Sequence, residues 1–102
     1  MGSKATKLQR EILIATGRAG HRLWNNPRGF DAILKIMYGV GPNGASDLMG
    51  ITATGRFAAI EVKADKDRPT NEQKRFIDFV RSRGGVAGFA RSVEDALRIL
   101  AE

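Results

Sequence analysis

Asp47-Leu48-Met49-Gly50-Ile51-Thr52, then Ala53-Thr54-Gly55, then Arg56-Phe57-Ala58-Ala59-Ile60-Glu61-Val62-Lys63-Ala64 reads as two strands joined by a three-residue loop. Gly55 suits the left-handed position that such a loop requires. With Thr52 and Arg56 flanking the loop, Asp47 falls directly opposite Glu61. Directly opposed residues point to the same face, with Cβ atoms about 4.5–5.5 Å apart. Lys63, two positions further on, shares that face, while Val62 between them points to the core. A one-residue slip would send one carboxylate to the other side, so the pairing depends on the loop. In the second strand Phe57 and Ala59 form one alternate set and Ala58, Ile60 and Val62 the other. Both sets are apolar, as expected of a strand covered on two faces.

Two opposed carboxylates repel unless one is protonated or a cation bridges them. Oxygen ligands suit a hard divalent ion, Mg²⁺ or Mn²⁺. Such an ion acidifies a water and neutralises charge on an attacked phosphate, and Lys63 would position the water or stabilise the transition state. The alternative is a solvated hairpin, since an Asp after Gly44-Ala45-Ser46 is an ordinary turn residue. The apolar run Ala58-Ala59-Ile60 leading into Glu61 argues against it, because a charge continuing a buried strand needs a reason.

Composition narrows the rest. The 102 residues make one domain, 1–102, with Met1-Gly2-Ser3 resembling a cloning remnant. There is no cysteine and one histidine, His21, which excludes thiolate sites, paired-histidine metal sites and Ser-His-Asp chemistry. No apolar run approaches a membrane span and no signal peptide is visible, so the expected compartment is the cytoplasm, or the host cytoplasm for a viral protein. The net charge of +6, from 17 basic and 11 acidic residues, points to a polyanionic partner.

Around the hairpin, residues 4–19 read as a helix with Leu8, Ile12, Ala15 and Ala19 on one stripe. Residues 21–26 read as a short strand stopped by Asn25-Asn26-Pro27; the apolar run Ile33, Leu34, Ile36, Met37 and Tyr38 in 32–40 suits either a strand or a short helix and is assigned to a strand. Pro69-Thr70 opens a helix ending at Gly84-Gly85, and 86–90 is a strand. Ser92-Val93-Glu94-Asp95 caps a last helix. The expected class is α/β, a mixed central sheet flanked by helices in the order αβββαβα.

Gly-x-Ser-Asp, a hairpin, Ile60-Glu61-Val62-Lys63 and then Thr70-x-x-Gln73 opening a helix resemble the PD-(D/E)XK, or restriction-endonuclease-like, superfamily. More narrowly the chain is similar to its VRR-NUC group of virus-type nucleases, from the first helix to the C-terminus. Ser46 stands where the superfamily name has a proline. The resemblance implies an Mg²⁺- or Mn²⁺-dependent DNA endonuclease with Asp47, Glu61 and the Val62 carbonyl as metal ligands and Lys63 as the catalytic lysine. It also brings in Glu11 of the first helix, as a ligand directly or through water, and Gln73 beside the lysine. From the residues alone Glu11 is a solvated helix charge, and Gln73 is the returning member of a capping box with Thr70. Small stand-alone members resemble Holliday-junction resolvases, which implies a homodimer acting on branched DNA; the compact form hints at a phage. The alternatives are a nuclease of the same fold without structure preference and a non-catalytic DNA-binding module.

Other features are weaker. Arg22, Arg28, Lys35, Lys66, Arg68 and Lys74 are candidate phosphate contacts with no distinguishing spacing. Trp24 and Tyr38 are assigned to core or interface packing rather than base stacking, and His21 to packing or the surface. The glycines at 39, 41 and 44 do not form a P-loop, so no nucleotide cofactor is expected.

Overall fold

In the computed structural model the register of the central hairpin is the one its loop implies. Leu48 pairs with Ile60, Met49 with Ala59, Gly50 with Ala58 and Ile51 with Phe57. The Thr52 amide donates to the Arg56 carbonyl at 2.8 Å, and Gly55 sits at φ +88°. His21 secures the loop from outside, its Nδ1 accepting the Ala53 amide at 3.0 Å. The structure describes residues 4–27 and 29–102. Met1-Gly2-Ser3 and Arg28 lie outside the described residues, as does the side chain of Tyr38.

The elements are α1 (Lys4–Arg18), β1 (Arg22–Asn25), β2 (Gly29–Asp31), β3 (Ile36–Tyr38), β4 (Leu48–Ile51), β5 (Phe57–Val62), α2 (Asn71–Ser82), β6 (Val86–Ala90) and α3 (Val93–Leu100). The main sheet runs β1-β4-β5-β6. Its first three strands are antiparallel, and β6 joins β5 in parallel after the α2 crossover. Leaving out β2 and β3, the order is αβββαβα, the mixed α/β architecture expected.

The two faces of β5 are both covered. Ala58, Ile60 and Val62 pack with Ile12, Leu48, Val86, Ala96, Ile99 and Leu100 in a core closed by α1 and α3. Ala59 packs with Met49, Ile77, Val80 and Ala87 under α2. A fully buried Ile such as Ile60 contributes roughly 1.5–3 kcal/mol through removal of apolar surface from water. α2 begins with a complete capping box, in which Thr70 Oγ1 accepts the Gln73 amide and Gln73 Oε1 accepts the Thr70 amide. α3 caps differently: Ser92 Oγ accepts the Asp95 amide, but the Asp95 carboxylate reaches back past Ser92 to the Arg91 amide at 2.9 Å. No helix among the described residues is long and apolar enough to cross a membrane.

The expected strand over 32–40 is a correction. Residues 29–38 form a separate antiparallel hairpin, with Gly29 paired to Tyr38 and Asp31 to Ile36. Asp31 makes the turn, its Oδ1 accepting the amides of Ile33 and Leu34 at 2.9 Å each. Lys35 closes it in the left-handed region, φ +60°. The apolar run concealed a side chain that competes for backbone donors, which is how Asp initiates turns.

Candidate active site

β5 supplies two of the candidate side chains by strand alternation, Glu61 and Lys63, on the face toward α2. Asp47 arrives immediately ahead of β4, one residue beyond the Leu48–Ile60 pair that ends the ladder, and its carboxylate lies beside that of Glu61. At position 62 the backbone amide of β5 faces β4, which has not yet begun there. The Asp47 side chain takes the vacant place, Oδ2 accepting the Val62 amide at 3.0 Å, so a buried donor is satisfied by a carboxylate rather than by a strand. On the other side the Lys63 amide donates to the Ala90 carbonyl of β6 at 3.0 Å.

Glu61 is 5% exposed. Gln73 Nε2 donates to its Oε2 at 3.0 Å, and Lys63 Nζ lies 3.8 Å from the same oxygen. The two readings of Gln73 are therefore compatible. Its Oε1 completes the helix cap while its Nε2 holds Glu61, and the cap fixes which way the amide points. Burial first, then the negative charge of Asp47 and a hydrogen bond shared with it, push the Glu61 carboxyl up to about 8; Lys63 opposes the shift. The pair thus holds a proton in the absence of a cation, as close carboxylates do.

The surroundings come from distant parts of the chain. Asn26 is buried and acts as a clamp. Its amide donates to the Asp47 carbonyl at 2.7 Å, its Nδ2 to the carbonyls of Val40 and Ser46, and its Oδ1 accepts the Val40 amide. Gly44, at φ +90°, lies against the first turn of α2. A Cβ there would meet the Glu72 carbonyl at 2.4 Å, so only glycine lets the Asp47 loop seat on the helix bearing Gln73. Arg91 ties the connection after Lys63 in place by donating to the carbonyls of Asp65 and Asp67.

Asp47, Glu61, Lys63 and Gln73 are thus brought together, with the Val62 backbone between them. Glu11 is not: it is exposed on α1. The α1 side chain that lines the polar recess beside Asp47 is Gln9, together with Asn25, Asn26 and Pro27, in a space of about 320 Å³. Residues two apart on a helix diverge by about 200°, so Gln9 and Glu11 do not face the same way. Sequence reasoning missed both Gln9 and Asn26. Asn26 registered only as part of a strand-ending Asn25-Asn26-Pro27.

Among the described residues no group of three or more His, Cys, Asp or Glu side chains could hold a metal ion. Two carboxylates are nevertheless the donor set that Mg²⁺ commonly uses, its other positions being taken by water and by substrate phosphate. Asp47 and Glu61, side by side with the Val62 backbone between them, offer that donor set, so the residues fit such an ion.

Comparison with curated protein sequences returns no match. The model of the VRR-NUC domain matches residues 6–94, a span that includes Asp47, Glu61, Lys63 and Gln73. The chain belongs to the VRR-NUC domain family, and with it to nuclease-type proteins that act on DNA.

Proposed function

We propose that the chain is an Mg²⁺- or Mn²⁺-dependent endonuclease that hydrolyses DNA phosphodiesters at branched structures, four-way junctions included, as a homodimer. The observation that carries the catalytic part is Glu61, a buried carboxylate held between Gln73, Lys63 and Asp47 at the end of a doubly covered strand. Asp47, Glu61 and the Val62 carbonyl would hold the ion, which supplies a water acidified for attack and a positive charge against the phosphate. Gln73 orients Glu61 by a bond its helix cap pre-sets, so little rearrangement is needed when substrate arrives. Lys63 is placed to orient the attacking water or to stabilise charge on the phosphate oxygens. Asn26 and Gly44 keep the Asp47 loop in position. Glu11 is left outside the ligand set and Gln9 enters it as a contact to the bound water or to DNA.

A homodimer is supported by an apolar groove between the sheet and α2. α2 covers β5 and β6. Trp24, Phe57 and Phe79 remain 48%, 41% and 56% exposed around a groove of about 510 Å³ that Met49 and Val80 also line. An apolar cluster of this kind is a poor surface for phosphates and a good one for a second copy. Two sites related by a two-fold axis suit a symmetric junction.

The test is cleavage of labelled four-way junction, flap, single-stranded and linear duplex DNA with Mg²⁺ or Mn²⁺, alongside Glu61→Gln and Lys63→Ala. Symmetric junction nicks abolished in both variants uphold the reading. Equal cutting of every substrate removes the branch preference and leaves a nuclease without structure preference. Binding without cleavage under any metal points to a non-catalytic module.

A further inference from the structure

The β2–β3 hairpin forms a two-stranded sheet of its own, separate from the main sheet. Its tip carries Ile33 at 90% exposure and Leu34 at 64%, with Ile36 half exposed just below. This is not a loose apolar loop. Asp31 binds both tip amides through one carboxylate oxygen and the Lys35 amide through its carbonyl at 2.7 Å. The protein therefore holds two large aliphatic side chains in water in a defined turn, which costs hydration without any return from the fold. A built tip of this kind needs a partner.

We infer that the tip is a wedge for DNA, with Ile33 and Leu34 entering the base stack beside the phosphodiester bound at Asp47 and Glu61; the inference rests on the nuclease reading above. Position is the first argument. The hairpin is the chain between Asn26 and Asp47, and both its feet are held at the site. Asn26, at one foot, bonds Val40 at the other and the Ser46 and Asp47 carbonyls beyond it. Reach is the second. Three-residue strands extend about 10 Å, roughly three base steps, which is the scale of the spacing between a bound phosphate and its neighbouring base pairs.

Chemistry is the third argument. Aliphatic wedges inserted between base steps unstack and kink duplexes, at a cost least where stacking is already interrupted. A branch point is such a place. Lys35, exposed at the tip, and the net charge of +6 supply attraction to the backbone on either side. The rival occupant, a second copy of the chain, has an apolar surface of its own in the Trp24, Phe57 and Phe79 groove, which Val40 and Gly41 at the foot of the hairpin also line, and self-association is therefore one outcome of the test.

The experiment compares the intact protein with the Ile33→Ser, Leu34→Ser double variant, whose changes lie in solvent and whose folding is checked by thermal melting. A four-way junction with 2-aminopurine beside the crossover is titrated with protein in chelator, and cleavage is then started with Mg²⁺. The intact protein should raise the fluorescence several-fold and the double variant should not. The ratio of junction cleavage to cleavage of a DNA already opened at the same position should fall at least ten-fold in the variant. Equal fluorescence and an unchanged ratio would overturn the wedge. Loss of self-association by the variant in sedimentation, with the fluorescence response intact, would overturn it in favour of docking between copies. A fluorescence response from an intact protein that cuts nothing would uphold the wedge and sink the nuclease reading.

Discussion

The molecule contains two antiparallel hairpins, β4–β5 and β2–β3, and they are built for opposite purposes. In β4–β5 both faces of the second strand are covered, the loop sets the register, and every side chain from Ala58 to Val62 is buried. In β2–β3 the strands form a two-stranded sheet of their own, and Ile33 and Leu34 at the turn face solvent. The first hairpin uses packing to hold two carboxylates where they would not choose to be. The second uses a turn alone to hold apolar groups where the fold gains nothing from them. Burial fixes the side chains of the first hairpin, whereas local hydrogen bonds fix the turn of the second.

The largest test of this contrast is catalytic. Glu61→Gln and Lys63→Ala should each lower the rate of metal-dependent cleavage by about 10²–10⁴-fold, with circular dichroism spectra unchanged. A variant that keeps full activity would move the site away from β5.

Stability should divide the hairpins next. Ile60→Ala is expected to cost about 2–5 kcal/mol in chemical denaturation, since it opens a cavity at a position with no exposure. Ile33→Ala should stay within about 0.5 kcal/mol of the intact protein. Similar losses at both positions would mean that the projecting hairpin is packed in solution.

The electrostatic strain at Glu61 has its own pH signature. Its carboxyl is raised from 4.5 to about 8 in the folded state. Between those values the folded protein keeps a proton that the unfolded chain has released. The contribution is therefore fully present below pH 4.5 and is lost as pH rises toward 8. In chelator, melting temperature should fall over this window in the intact protein relative to Glu61→Gln. A difference of even about 1 kcal/mol corresponds to roughly 4–8 °C in a domain of this size. Mg²⁺ should narrow the gap at high pH, because an ion that binds the ionised pair releases the proton. Parallel pH profiles for the two proteins would show that Glu61 titrates normally.

The smallest effect is expected at Ser46. Its side chain is fully buried, and its hydroxyl has no hydrogen-bond partner among the described residues. Ser46→Ala should be neutral or slightly stabilising, because it removes a polar group already desolvated without compensation. A loss above about 1 kcal/mol would reveal a bound water at that position.

What was legible in the sequence was whatever short-range geometry encodes. A three-residue loop ending in Gly55 determined that Asp47 opposes Glu61, alternation placed Lys63 beside them, and Thr70 with Gln73 announced a helix start. These follow from turn chemistry and from a side-chain period of two, which act within a few residues. The family resemblance added the nuclease class and its action on DNA. The tertiary structure decided the rest. It placed Gln9 rather than Glu11 at the recess, since the azimuth of a helix is set by how Ile12 packs on the sheet. It made Asn26 a clamp, since its partners are 14 and 20 residues away. It also lifted 29–38 out of the sheet, because apolar residues specify burial only where a second surface is available to cover them.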